Sequence, residues 1–255
     1  MNTDRRTFLK LAGASLLGAG SLPLVEALAS GGPRYAPDAR ALQARRWALA
    51  VDTARLQAPG EWEACIAACH RSHNVPAIPT HQDVRWAWTE TFDRVFPEQK
   101  GPHVSPALQE RRFFLLCNHC DNPPCVRVCP TQATFRRKSD GIVMMDYHRC
   151  IGCRYCMAAC PFGARSFNFS DPRRHLKDVN PAFPTRTKGV VEKCDFCAER
   201  LARGQQPACV EASRGALVFG DLADPESAVR RVLRTRHALR RKPHLGTEPQ
   251  VYYLL

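Results

Sequence analysis

Thirteen cysteines in 255 residues are the part of this sequence that could do chemistry, and they fall in four groups. Cys65 and Cys69 form the first. Cys117, Cys120, Cys125 and Cys129 follow the spacing C-x2-C-x4-C-x3-C-P, ending on Pro130. Cys150, Cys153, Cys156 and Cys160 follow C-x2-C-x2-C-x3-C-P, ending on Pro161. Cys194, Cys197 and Cys209 make C-x2-C-x11-C. Thiolates are soft ligands that select zinc, cuprous copper or iron–sulfur clusters. Isolated C-x2-C pairs suit zinc as well as iron. Zinc has no use, however, for three closely spaced cysteines followed by a fourth in C-x3-C-P. That spacing suits a [4Fe–4S] cluster, with three cysteines wrapping one cluster and the fourth ligating its neighbour. By this rule Cys117, Cys120 and Cys125 share a cluster with Cys160, and Cys150, Cys153 and Cys156 share one with Cys129. Both motifs continue as P-x-x-A, at Pro130–Ala133 and Pro161–Ala164, which marks an internal repeat. A disulfide scaffold is the competing reading, but such chains are shorter, richer in cysteine and even in count.

Cysteines so spaced need short elements to hold them. Phe113–Leu116 is an apolar run entering Cys117, Gly141–Asp146 leads toward Cys150, and Leu217–Phe219 follows the last cysteine; each predicts a strand. Residues 126–129 and 157–160 predict helical turns stopped by proline, with the fourth cysteine starting a helix that points away from its own loop. Residues 71–112 and 168–192 are rich in proline and predict loops. Residues 226–242 interleave Val229, Val232, Leu233 and Leu239 with six arginines, predicting an amphipathic helix with a basic face. The tail VYYL, with Tyr252 and Tyr253, predicts an edge strand or a packed tail. The fold class is α+β.

Other chemistry is thin. Cys65, Cys69 and His70 make C-x3-C-H, one residue away from the C-x2-C-H of haem attachment. The nine histidines show no metal spacing, and His119, between two cysteines, suits a local hydrogen bond. Trp86 and Trp88 suit packing. There is no Ser–His–Asp set, phosphate loop or dinucleotide fingerprint in the required context. The sequence therefore describes a redox carrier without a substrate-converting site.

The N-terminus reads DRRTFLK, with Arg5 and Arg6, then an apolar run and the small-residue site Ala27-Leu28-Ala29. That pattern predicts a twin-arginine export signal over residues 1–29. The apolar stretch Leu11–Val25 is shorter than the ~20 residues of a membrane span. Export of an already folded chain lets cysteines meet metal before an oxidising compartment, and places the protein in the periplasm. The formal charge is +13, and +12 without the signal. Nucleic acid is a poor explanation for an exported protein. Three clusters ligated by thiolates, each of charge about −2, would bring the total to roughly +6.

The cysteine order resembles the iron–sulfur electron-transfer subunits of dimethyl-sulfoxide, polysulfide and nitrite reductase-type complexes. The resemblance runs over residues 65–255, through CIAACHRSHNVP, CNHCDNPPCVRVCPTQA, CIGCRYCMAACPFGA, KCDFC, PACVEA, GALVFGDL and LGTEPQVYYL. It implies two ferredoxin-like modules, one inserted in the other: residues 108–167 inside residues 48–75 plus 188–222, followed by a basic helix and tail over 223–255. It further implies that Cys69, Cys194, Cys197 and Cys209 hold a third cluster.

Two departures from the family pattern coincide. Pro59 and Trp62 stand where the first group should begin, and Ser213 (or Ala212) stands where the fourth should end. In the family's wiring these positions, with Cys65, belong to a single cluster. The resemblance therefore implies three [4Fe–4S] clusters, an emptied fourth site at Pro59, Trp62, Cys65 and Ser213, and Trp62 as its filler. RWAWTE, VFPEQ and the export signal resemble the periplasmic ferredoxin-like subunits of Dsr-type membrane complexes of sulfur metabolism. That implies an NrfD-type membrane subunit that handles quinone and a multihaem cytochrome c as partners, and no molybdenum subunit. The iron–sulfur subunit of a molybdenum reductase and a secreted disulfide-bonded binding protein are the alternatives.

Overall fold

A computed structural model describes residues 38–58 and 60–255; the expected export segment 1–29 and Pro59 lie outside the described residues. The strand β1 (Trp47–Asp52) alternates large and small side chains and is buried throughout. Side chains alternate across a strand, so Trp47, Leu49 and Val51 enter the main core while Ala48 and Ala50 join Val229 and Leu254 in a second one. The two alanines let the helix Ala228–Thr235 approach that face closely. Patterning gave no sign of this strand, because alanine is a poor strand former and neither face is polar.

Three hairpin-like pairs follow: β2 (Ala87–Thr91) with β3 (Arg112–Leu116), β4 (Thr134–Arg136) with β5 (Val143–Met145), and β6 (Ser166–Phe167) with β7 (Val191–Glu192), all antiparallel. β8 (Leu217–Asp221), β9 (Ala238–Leu239) and β10 (Val251–Leu254) join β1 in a sheet of order β8-β1-β10-β9. β1 is antiparallel to β8 and parallel to β10. Residues 47–52 and 217–221 thus meet, although all thirteen cysteines lie between them in sequence. The helix Glu61–Ser72 packs on the short helix Ala208–Ala212, burying Trp62, Cys65 and Cys69 on one face.

Four local expectations change. The fourth cysteines end helical turns instead of starting helices: Pro124–Arg127 precedes Cys129, and Tyr155–Ala159 stops at an extended Cys160 (φ −79°, ψ 109°). Pro130 and Pro161 disfavour helical backbone in the residue before them, so the chain leaves the turn there. The expected loop 71–112 contains β2 and the short helices Phe92–Val95 and Pro106–Gln109, anchored by buried Trp86, Phe92 and Val95. The basic helix spans only Ala228–Thr235, because Arg236 turns extended and donates to the Asp52 carboxylate (2.5 and 3.2 Å) and the Leu255 carbonyl (3.2 Å). That leads the chain into β9, whose pairing makes β10 an interior strand, not an edge. No helix among the described residues is long and apolar enough to cross a membrane.

Candidate metal centres

Three of the four cysteine groups share one local device. The residue before the second cysteine of C-x2-C is left-handed in each: His119 (φ 42°), Gly152 (φ 70°) and Phe196 (φ 56°). Side-chain-bearing residues seldom adopt this conformation, and such strain gathers where a loop must hold a ligand. The curl turns backbone donors toward sulfur; the Phe196 N–H donates to Cys194 Sγ at 3.4 Å. The first group lacks the device. Glu61–Ser72 is one continuous helix, so Trp62 and Cys65 occupy regular turns where a wrapping loop would be.

Cys117, Cys120, Cys125 and Cys160 line one cavity, with Phe162, Val143 and Arg165 beside them. β3 delivers Cys117 to it, and the turn at Pro124–Arg127 delivers Cys125. Burial pushes the Cys120 thiol up to about 12, and Cys117, Cys125 and Cys160 push the same way. Cys129, Cys150, Cys153 and Cys156 line a second cavity, closed by Val191, Met145 and Gly152. Burial alone would raise the Cys129 thiol, but the N–H groups of Thr134, Thr131 and Ala133 and the Thr131 hydroxyl outweigh it and lower the pKa. Cys153 is solvent-exposed.

Cys69, Cys194, Cys197 and Cys209 are all buried and neighbour one another. Burial drives the Cys69 and Cys197 thiols well up, with Cys209 and Cys194 adding to the rise at both. Cys65 reaches about 11 through burial alone, although it also lies near Cys209. The sets lie within electrostatic reach of one another: beyond burial, Cys117 of the first helps raise the Cys194 thiol of the third, and Cys125 of the first helps raise the Cys156 thiol of the second. Four thiols converging on a small space, with backbone donors aimed at sulfur, fit an anionic [4Fe–4S] cluster. Ser213 is buried; its hydroxyl donates to the Val210 carbonyl (2.7 Å) and accepts from the Leu217 N–H (3.1 Å). Trp62 stacks on Phe114 with ring centroids 5.2 Å apart.

The family model of a 4Fe–4S dicluster domain matches residues 111–174. Iron–sulfur subunit 1 of an Hdr-like menaquinol oxidoreductase from Archaeoglobus fulgidus is 43% identical, over 98% of this chain and 97% of that one. A tetrathionate reductase subunit from Salmonella typhimurium is 38% identical, over 100% and 89% respectively. The chain belongs to this family of iron–sulfur subunits. Protein NrfC of Escherichia coli is a further relative, 38% identical over 74% of this chain and 73% of that one.

Around the thiols of this iron–sulfur subunit lie polar groups that sequence reasoning missed. His73 is buried between the Glu199 and Asp195 carboxylates (3.1 and 3.6 Å) and contacts the Cys69 carbonyl through Nδ1 (2.8 Å). Burial opposes its charge, but the hydrogen bond with Glu199 and the two carboxylate charges outweigh that and raise its pKa. Its ligand nitrogen, a Glu199 oxygen and Cys197 Sγ lie within 4.8 Å of one another. Arg186 and Glu192 form a fully buried ion pair at 2.5 Å, which Trp86 completes by donating to Glu192 at 2.8 Å. Trp86 therefore packs, as its sequence context suggested. His119 accepts a hydrogen bond from the Val143 N–H (3.1 Å) and stacks on Phe196. Patterning does not reveal the pairs of His73 with Glu199 and Asp195, of Trp86 with Glu192 and of His119 with Phe196, because their partners lie far apart in the chain.

Proposed function

We propose that this chain is a periplasmic, non-catalytic electron-transfer subunit holding three [4Fe–4S] clusters in a membrane-bound, quinone-linked complex of the Dsr type. The observation that carries the reading is the gathering of cysteines from separate segments into four-thiol sets, two of which line cavities. Twelve of thirteen cysteines fall into three sets, within electrostatic reach of one another through Cys194 with Cys117 and Cys125 with Cys156. Bound at these sets, clusters would supply one-electron transfer, and the chain's own cysteines would hold them. The ligand sets proposed are Cys117, Cys120, Cys125 and Cys160; Cys129, Cys150, Cys153 and Cys156; and Cys69, Cys194, Cys197 and Cys209. The pairing of β1 with β8, and of Glu61–Ser72 with Ala208–Ala212, supports a module built from residues 48–75 and 188–222 around an inserted 108–167.

The second cavity is the end that meets a partner. Exposed Cys153 is surrounded in sequence by Ile151 and Tyr155, which are 66% and 62% exposed. A cluster reached by solvent beside large apolar side chains suits a protein neighbour, here an NrfD-type membrane subunit handling quinone; the Archaeoglobus relative is named as a subunit of a menaquinol oxidoreductase. A multihaem cytochrome c is proposed at the other end, and DRRTFLK supports export through the twin-arginine route. The helical first group, lacking a wrapping loop, supports an emptied fourth site at Pro59, Trp62, Cys65 and Ser213, and with it the absence of a molybdenum subunit. Identity with the tetrathionate reductase subunit favours the second reading, a subunit of a molybdenum reductase. Purification settles both points: about twelve iron and twelve acid-labile sulfides per chain are expected, with a membrane subunit and no molybdenum. About sixteen irons, or stoichiometric molybdenum, refutes the proposal.

A further inference from the structure

Arg165 is only 5% exposed, yet no carboxylate pairs with it among the described residues. Its Nη2 donates to Cys125 Sγ at 3.0 Å and to Thr134 Oγ1 at 2.8 Å, while Nη1 faces Met145 Sδ at 3.8 Å. The charged groups that bear on it are sulfurs: Cys125 and Cys117 of the first cavity and Cys156 of the second. It lines the first cavity directly, and through Met145 it reaches the lining of the second, where its charge pulls the Cys156 thiol down against the effect of burial. Burying an arginine without a counter-charge costs several kcal/mol, so something anionic must offset it. Apart from the Thr134 hydroxyl, the polar partners its guanidinium meets are sulfurs.

We propose that Arg165 is the shared electrostatic partner of the first and second clusters, a fixed cation that raises the reduction potentials of both and leaves the third untouched. This rests on the reading that both cavities hold clusters. Reduction adds one electron, and so one negative charge, to a cluster. A cation already buried between two clusters stabilises that charge on either one. Hydrogen bonds to cluster sulfurs act in the same direction. Arginine keeps its proton at every accessible pH, so no proton accompanies the electron and the effect does not vary with pH. Arg165 acts through the sulfurs; it is a positioning and tuning residue.

The test is a dithionite-poised redox titration of the purified full-length protein, followed by electron paramagnetic resonance, in wild type, Arg165→Gln and Arg165→Lys. Glutamine keeps a donor near Cys125 and removes the charge; lysine keeps the charge and loses the fork. Arg165→Gln is expected to raise the oxidised-to-reduced ratio of two clusters by about tenfold at fixed ambient potential, a 59 mV downward shift for a one-electron couple. The third cluster stays put, the shift is the same from pH 6 to 9, and Arg165→Lys stays within about threefold of wild type. Unmoved potentials with full iron content overturn the proposal, and so do equal shifts in all three clusters. If Arg165→Gln loses iron, the lysine variant decides: normal iron with lysine upholds the need for charge, and loss there too means the role is shape. Iron analysis of Cys125→Ala and Cys156→Ala comes first, each losing about four irons. A wild-type chain without clusters in these cavities would sink the reading and this proposal together, whereas full iron with unmoved potentials sinks the proposal alone.

Discussion

Cys65 and Cys69 sit one helical turn apart, and only one of them should matter to iron. Both are buried, and Cys65 as well as Cys69 lies near Cys209. What separates them is the company each keeps. Cys69 neighbours Cys209, Cys194 and Cys197, whereas burial alone accounts for the rise at Cys65. Mutual crowding of thiols is the condition a metal relieves, because a coordinating thiol is deprotonated outright. Cys69→Ala should therefore cut iron and acid-labile sulfide from about twelve to about eight per chain, and remove about a third of the broad visible absorbance. Cys65→Ala should leave both counts unchanged and cost about 1 kcal/mol, the order expected for deleting one small buried group. The assay is iron and sulfide analysis of the two purified variants beside wild type, with a thermal melt to show that each is folded. The opposite pattern, with Cys65→Ala losing a third of the iron and Cys69→Ala losing none, would refute the cross-paired wiring and shift the third set by one turn.

A Cβ on Gly152 would stand 2.3 Å from the Gly189 carbonyl oxygen; Gly152→Ala should cost the second cluster, lowering iron to about eight per chain, while Gly163→Ala, at a similar φ of 65° but with open space around it, should strain the backbone and keep the iron. Glu192→Gln leaves Arg186 buried and unpaired, so it should destabilise the protein by about 3–5 kcal/mol, a fall in melting temperature of roughly 10 °C by calorimetry; a shift under about 2 °C would contradict that. Ile151→Glu with Tyr155→Glu should abolish co-purification of the membrane subunit at unchanged iron content, and full retention of that subunit would remove the second cavity from the interface.

The cysteine chemistry was legible because ligand spacing is a local property: C-x2-C curls a loop whatever the rest of the chain does, and His119, Gly152 and Phe196 show the same curl three times. Strand β3 was legible for a similar reason, as its apolar run leads straight into Cys117. Strand β1 was not, since its alanines make sense only against the helix Ala228–Thr235, which lies far along the chain. The basic helix was overextended because six arginines suggest one face, while Arg236 is spent on Asp52 and breaks the helix. The terminal strand looked like an edge because β9, the two-residue partner that covers it, is too short to leave a pattern.

Charge links the sequence to the cavities. An excess of thirteen positive charges is unusual for a chain with so ordinary a composition. Two cations are buried beside the proposed ligands. Lys193 is 1% exposed and donates to the carbonyls of Val143 and Cys194, one of which belongs to a proposed ligand. Arg165 lies between two thiol sets. Groups of this kind are costly to bury alone and favourable beside an anion, so their placement follows the thiol sets. Their cost also gives a way to test the sets without counting iron. Removing the clusters from the folded protein should leave Arg165 and Lys193 uncompensated, so iron-depleted protein should melt well below the intact form and regain the difference only on reconstitution with iron and sulfide. Equal melting of the two forms would mean that these cations are balanced by protein groups and that the cavities carry no anion.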